Sequence, residues 1–261
     1  MRGLPPLTVW RALFNGTIFL VLGMIGVLSL AGILATWVPQ LETFGNLQGY
    51  MAAGAVLAGI WALVMRAPGW GAAALVLVAA NAATVAYRMT PLEPCPVERA
   101  GTGQRAVKVL THNILWDNHD FDMLEGMLRK PDPDVIILQE IQPHHMPLFA
   151  RMAGDYPYSV VCPDVEHCGI VILSRHPLRN RKPVLDRFGE VIALGTVVTV
   201  GGGDLVVLGT HLVQPFRGRT QRGQIDRLAD AVGHLPANAM VAGDFNSVGW
   251  SANMRRFSER A

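Results

Sequence analysis

Ala239-Met240-Val241-Ala242-Gly243-Asp244-Phe245-Asn246 closes the last apolar run of the chain on a glycine, a carboxylate and an amide. A short apolar run bounded by a turn residue reads as a buried strand. Three earlier runs end in the same manner. Val107–Leu110 leads into Thr111-His112-Asn113, Val135–Leu138 into Gln139-Glu140, and Leu205–Leu208 into Gly209-Thr210-His211. Four strand-like segments thus deliver Asn, Glu, His and an Asp-x-Asn pair to what reads as one edge of a sheet. That combination of residue types suits divalent-metal hydrolysis of a phosphodiester or phosphomonoester.

Each residue has a chemical reading and a structural one. A hard cation such as Mg²⁺ (or Mn²⁺) prefers carboxylate and amide oxygens and keeps several waters. Glu140, ending a buried strand, is the first candidate ligand; the structural alternative is a strand-end carboxylate facing solvent or capping the next segment. Asn113 could orient the metal's shell or a phosphate oxygen, or it could form a turn. Asp244 and Asn246, two apart on an extended chain, face the same way. One can then orient the attacking water while the other donates to the phosphate; the alternative is an Asx-turn after the strand. His211 can donate to a phosphate oxygen or protonate a leaving alkoxide. His112 alternates to the opposite face and reads as structural.

Between these ends the pattern alternates strand and helix, an α/β arrangement with mixed sheets. A helix is expected over about Asp120–Arg129, with Phe121, Leu124 and Leu128 on one face. A second should follow Pro143, a third should carry Ile225, Leu228 and Ala229 inward, and another should start near Trp250. Tyr158–Cys162 and Ile170–Ser174 read as paired strands, and Gly201-Gly202-Gly203 as the turn joining Val191–Val200 to Asp204–Thr210.

The first 90 residues are different in kind. They carry only five charges, Arg2, Arg11, Glu42, Arg66 and Arg88. The runs between them can cross a bilayer, which takes about 20 predominantly apolar residues. Spans are expected near Leu13–Val38, Tyr50–Met65 and Gly71–Tyr87, since a soluble helix needs a polar face that these lack. The first exceeds the roughly 7–15 apolar residues of a signal peptide and reads as a retained anchor. The spans hold no acidic or basic residue, which argues against a transporter. Arg2, Arg11 and Arg66 flank one side and Glu42 and Arg88 the other, so the positive-inside rule puts the N-terminus in the cytoplasm and the C-terminal segment outside. Cys162 and Cys168 are placed to close a small disulfide loop in an oxidising compartment, with Cys95 left over.

The organisation is therefore a three-helix membrane anchor over 1–90, a Pro-rich linker over 91–106 and one domain over 107–261. Residues 91–261 hold 18 Lys+Arg against 19 Asp+Glu, a net charge of −1. A protein gripping many nucleic-acid phosphates shows a basic footprint. The balance disfavours a processive nuclease and leaves lipid-linked or small soluble phosphates. Arg217 and Arg222 are candidate substrate contacts and equally a solvated face. Trp116 and Trp250, each just past a motif, could line a pocket or pack in the core.

The elements Val-Leu-Thr-His-Asn (109–113), Ile-Leu-Gln-Glu (137–140), Gly-Ile-Val-Ile-Leu-Ser-Arg (169–175), Gly-Thr-His-Leu (209–212) and Ala-Gly-Asp-Phe-Asn (242–246) together resemble the endonuclease/exonuclease/phosphatase superfamily, and the anchor ahead of them resembles a bacterial membrane-tethered subgroup. The resemblance implies a four-layer α/β sandwich, two mixed sheets flanked by helices, behind N-terminal transmembrane helices. It implies a phosphoesterase or nuclease-like hydrolase of the bacterial inner membrane, with its domain outside. Glu140 and Asn113 would attend the Mg²⁺ or Mn²⁺, Asp244 would position water, Asn246 would contact the phosphate and His211 would stabilise or protonate it. The substrate would be a phosphate ester, lipid-linked, small or nucleic acid, and the bilayer a second partner, with no obligate protein partner implied. The family pattern runs on to a second acidic residue and a terminal Asp-His pair, whereas no histidine follows His234 here. The expectation is a domain truncated at its C-terminus; the alternative is a non-catalytic, membrane-tethered binding module.

Overall fold

The computed structural model describes residues 7–90, 106–162 and 168–261, which form two compact units. Cys95 and most of the expected linker lie outside the described residues. The first unit takes in the N-terminal helices with residues 215–219 and 247–255; the second holds the rest.

In the first unit, α1 (Leu7–Leu34), α2 (Glu42–Asn46), α3 (Gln48–Val64) and α4 (Pro68–Met89) follow in order. Two helices, Thr8–Leu34 and Pro68–Met89, are long and apolar enough to cross a membrane, with mean hydropathies of 2.5 and 1.6; the pair Pro39–Asn46 and Gln48–Val64, bent by 50°, makes a third if taken as one span. Small residues let α3 and α4 approach closely: a Cβ on Gly59 would sit 3.2 Å from the Ala74 methyl, and Ala58, Ala62 and Ala74 pack against Phe14, Ile18 and Leu22. All three long helices start earlier than the expected spans, but α1 ends at Leu34, short of Val38, and α3 at Val64, short of Met65, while α4 runs past Tyr87 to Met89. The unit buries two charges that the sequence places in the flanks. Arg88 Nη2 donates to Gly32 O at 2.9 Å, and Glu42 accepts the backbone N–H of Asn253 at 2.9 Å. A buried charge persists only where such partners compensate it. Gln48 Nε2 donates to Ser29 O, and Asn81 Nδ2 to Ser29 Oγ.

The second unit is a sandwich of two mixed four-stranded sheets. In the first, β1 (Val109–Asn113), β2 (Val135–Gln139), β3 (Tyr158–Val161) and β4 (Val171–Ser174) lie in the order β1-β2-β4-β3. In the second, β5 (Leu178–Leu185), β6 (Val191–Val200), β7 (Gly203–His211) and β8 (Ala239–Asp244) lie in sequence order. Only β1/β2 and β7/β8 pair in parallel; the other pairs are antiparallel. Parallel neighbours need a crossover. The first runs through α5 (Phe121–Arg129), the second through α7 (Gly218–Val232), with α6 (Met146–Met152) after β2 and α8 (Ala252–Arg260) near the end.

The two-residue period of β2 explains why the layers stack. Val135 and Ile137 face the other sheet, meeting Val198, Val207, Met240 and Ala242; Ile136 and Leu138 face the helices, meeting Leu124, Leu128, Leu148 and Met152. Both faces are covered, so the strand is apolar throughout. Gly209 permits the sheets to close, since a Cβ there would stand 2.6 Å from Ile137 Cγ2. The expected α5, β3/β4 hairpin, glycine turn and last helix all form, with Asp120 capping α5 through Met123 N. The first strand starts at Val109, two residues later than expected, and ends on Asn113 itself. Strand β5 was not expected: six of its residues are exposed and it contains Pro183, the composition of an edge strand. Cys162 and Cys168 are joined by a disulfide with Cα atoms 6.1 Å apart.

Candidate active site

The carboxyl ends of the two parallel pairs meet at one corner of the sandwich. β1 ends on Asn113 opposite Gln139, with Glu140 one residue beyond β2; β7 ends on His211 opposite Asp244, the last residue of β8. Asn113 lies at the centre. Its Nδ2 donates to Glu140 Oε1 at 2.8 Å and to Asp244 Oδ2 at 2.9 Å, while its Oδ1 accepts from Leu115 N at 3.0 Å. Two carboxylates from different sheets therefore converge on a single amide nitrogen.

His211 Nε2 stands 3.8 Å from Glu140 Oε1, too far for a hydrogen bond, and the two side chains retain 24% and 21% exposure. That corner is half-buried. The other Glu140 oxygen accepts from Trp116 N at 3.0 Å. Glu140 is held at φ 61°, Leu115 at 66° and Asn246 at 48°, left-handed conformations that cost on the order of 1 kcal/mol each for a non-glycine residue. Gly243, at φ 148°, has no room for a Cβ, which would fall onto the Thr210 backbone.

Asp244 and Asn246 do not share a strand face, because β8 ends at Asp244 and Asn246 turns left-handed. Asp244 Oδ1 accepts from Asn246 N at 2.8 Å, the Asx-turn alternative, while its Oδ2 faces Asn113. Asn246 Nδ2 donates to Leu212 O at 2.7 Å, which commits one of its two amide hydrogens. Arg217 is exposed on the turn Pro215–Arg217, and Arg222 sits half-buried on α7.

Several supporting residues carry no signal in the sequence. Gln221, fully buried on α7, donates to Val213 O at 2.8 Å and Asn246 O at 3.0 Å, and Gln224 Oε1 accepts from Val213 N at 2.9 Å. These amides tie the exit of β7 to that of β8. Gln139 Nε2 likewise braces β1 through Thr111 Oγ1. The partners of Gln221 and Gln224 are backbone groups or distant side chains that no local motif announces, whereas Gln139 sits in the Ile-Leu-Gln-Glu element.

The donor chemistry suits a hard cation, since Glu140 and Asp244 bring carboxylate oxygens to the two sides of the Asn113 amide. Among the described residues, no group of three or more His, Cys, Asp and Glu side chains is placed to hold a metal ion.

The model of the Endonuclease/Exonuclease/phosphatase family matches residues 110–261, more than half of the chain, and the chain belongs to that family. Similar solved structures include sphingomyelinase C from Streptomyces griseocarneus, 21% identical, covering 59% of this chain and 70% of that one with a TM-score of 0.49. A beta toxin variant from Staphylococcus aureus with bound magnesium ions is 17% identical and covers 59% and 70%, TM-score 0.47. An endonuclease/exonuclease/phosphatase from Beutenbergia cavernae is 25% identical and covers 55% and 48%, TM-score 0.45. No curated protein matches.

Proposed function

We propose that the chain is a membrane-anchored, divalent-metal-dependent phosphoesterase that hydrolyses a phosphate ester by in-line attack of water. The observation that carries this reading is the convergence of Glu140 and Asp244 on Asn113 Nδ2, beside His211. Glu140, with Asn113 beside it, would hold Mg²⁺ or Mn²⁺, which when bound would neutralise charge developing on the phosphoryl oxygens. Asp244, fixed by the Asn246 N–H, keeps one oxygen facing the site centre and is placed to accept a proton from the attacking water. His211 donates to a phosphate oxygen or protonates the leaving alkoxide. The second amide hydrogen of Asn246 remains for the phosphate, and Arg217 and Arg222 are candidate substrate contacts.

The reading extends to organisation: an anchor over 1–90, a linker over 91–106, and a catalytic domain over 107–261 on the outer side of a bacterial inner membrane. The apolar N-terminal helices and the Cys162–Cys168 bridge support that placement. The balanced charge of the second segment favours lipid-linked or small phosphates over duplex DNA.

The test is hydrolysis of bis-p-nitrophenyl phosphate and p-nitrophenyl phosphate by the full chain in detergent, with and without Mg²⁺, beside Glu140→Ala. Loss of activity on chelation and a drop of at least ~100-fold in the variant are expected. A Glu140→Ala protein as active as the parent would sink the reading, and the preferred ester separates diesterase from monoesterase.

A further inference from the structure

Next to the site, three histidine rings stack in a row. His119 lies 4.5 Å from His144, and His144 lies 4.0 Å from His145, centroid to centroid. His145 is fully buried, and both its nitrogens are used. Nδ1 receives the N–H of Gln142 at 3.0 Å, and Nε2 stands 3.0 Å from Asn118 O. A backbone N–H can only donate and a carbonyl can only accept. The pair of contacts therefore fixes the neutral ring with its proton on Nε2.

The two segments so joined both reach Glu140. Gln142 is two residues beyond it on the same turn. Asn118 closes the turn that holds Trp116, its N–H donating to Leu115 O at 3.0 Å, and Trp116 N donates to Glu140 Oε2. Glu140 itself sits in a left-handed conformation that the chain does not adopt without support.

We propose that His145 is a positioning residue: neutral, it staples the 115–118 turn to the Glu140–Gln142 segment and so sets the Glu140 carboxylate, and its protonation releases that staple. An added proton on Nδ1 would face the Gln142 N–H, and one of the two bonds must break. The titratable groups facing the ring are His144 from its own turn and His119 from the 114–120 loop. Helix α5 presents the Phe121 ring at 6.1 Å, and the Asp120 carboxylate is turned to Met123 N.

Burial, and after it the neighbouring His144, hold the His145 imidazole below its ordinary value of 6.5, against the opposing hydrogen bond to Asn118. A folded value below the unfolded one makes the folded form resist protonation. The staple is thus intact above pH 6.5 and is lost as pH falls from there through the lowered folded value.

The part that concerns Glu140 as a ligand rests on the proposed function; the staple itself does not. The experiment is amide hydrogen exchange, corrected for intrinsic rates, on the full chain in detergent, following peptides over 114–119 and 140–146. At pH 7.5, His145→Ala should lose protection in both peptides by about tenfold, the 1.4 kcal/mol equivalent of one hydrogen bond. The parent should lose it as the pH is stepped down from 6.5 through the lowered folded value. His145→Asn, which can accept from Gln142 N–H but does not titrate, should show little change with pH. Should His145→Ala fail to fold, His145→Leu, which fills the buried site but can neither donate to Asn118 O nor accept from Gln142 N–H, carries the same comparison. Unchanged protection of the 114–119 peptide in the Ala or Leu protein, or a pH response that survives in any of the three variants, overturns the proposal. Adding Mg²⁺ reads the other question: if it protects neither peptide in the parent, the metal reading of Glu140 fails, whatever the staple does.

Discussion

Replacing Asn113 by alanine removes the one donor that two carboxylates share. Each of its bonds, at 2.8 Å to Glu140 and 2.9 Å to Asp244, is a hydrogen bond to a charged acceptor, a class that contributes about 1.5–3 kcal/mol. Glu140 remains 21% exposed, so water recovers part of this, and a net loss of about 2–3 kcal/mol is the reasonable sum. In a folded unit of this size each kcal/mol moves the midpoint by roughly 2–4 °C, so Asn113→Ala in chelator should melt about 4–12 °C below the parent. A cation among those oxygens should offset much of the loss, because a ligand at a hundred times its Kd stabilises by about 2.7 kcal/mol. The assay is thermal unfolding of the full chain, followed by near-ultraviolet circular dichroism in EDTA and in Mg²⁺. Equal midpoints in EDTA would refute the claim that the amide bridges the carboxylates. A lowered midpoint that Mg²⁺ leaves untouched in both proteins would refute the cation instead.

Two further substitutions probe the same corner and its surroundings. Gly243→Ala should destabilise by more than ~3 kcal/mol and abolish activity, because its Cβ meets Thr210 backbone, which cannot move without parting β7 from β8; a soluble, active variant would show the strand pair to be looser than described. Reducing Cys162–Cys168 opens a short loop and should cost about 2 kcal/mol by the loop-entropy estimate, read as a lower urea midpoint with dithiothreitol and no matching change in a Cys162→Ser/Cys168→Ser protein.

How much of this is legible in the sequence depends on whether a residue's role is set by its neighbours in the chain. The strand β2 could be read because burial on both faces leaves a continuous apolar run, and α5 because its apolar residues repeat at helical spacing. Strand β5 could not, since an edge strand holds its place through backbone pairing to β6 and leaves its side chains polar. In the first unit the hydropathy that reveals the helices also misplaces Glu42 and Arg88. Counting charge assigns both to water, while the carbonyl of Gly32 and the amide of Asn253 that receive them are 56 and 211 residues away.

The same distinction runs through the site. Asn113, Glu140, His211 and Asp244 were readable because each ends a strand, and the strand is a local signal. Why those ends matter is a question of topology. In a hairpin the strand end is consumed by a tight turn, but a parallel pair returns through a helix and leaves its carboxyl ends free. Here the two parallel pairs, one in each sheet, open at the same corner, so Asn113 at the end of one strand meets Glu140 and Asp244, and His211 stands beside Glu140. Their supports were not readable. Gln221, His145 and the Trp116 amide act on backbone groups brought close only by the finished fold. Left-handed backbone at Glu140 has the same origin, whereas at Leu115 and Asn246 a side-chain oxygen two residues back receives the local N–H. A substitution at a strand end should therefore act on chemistry, and one at a support on the geometry that chemistry requires.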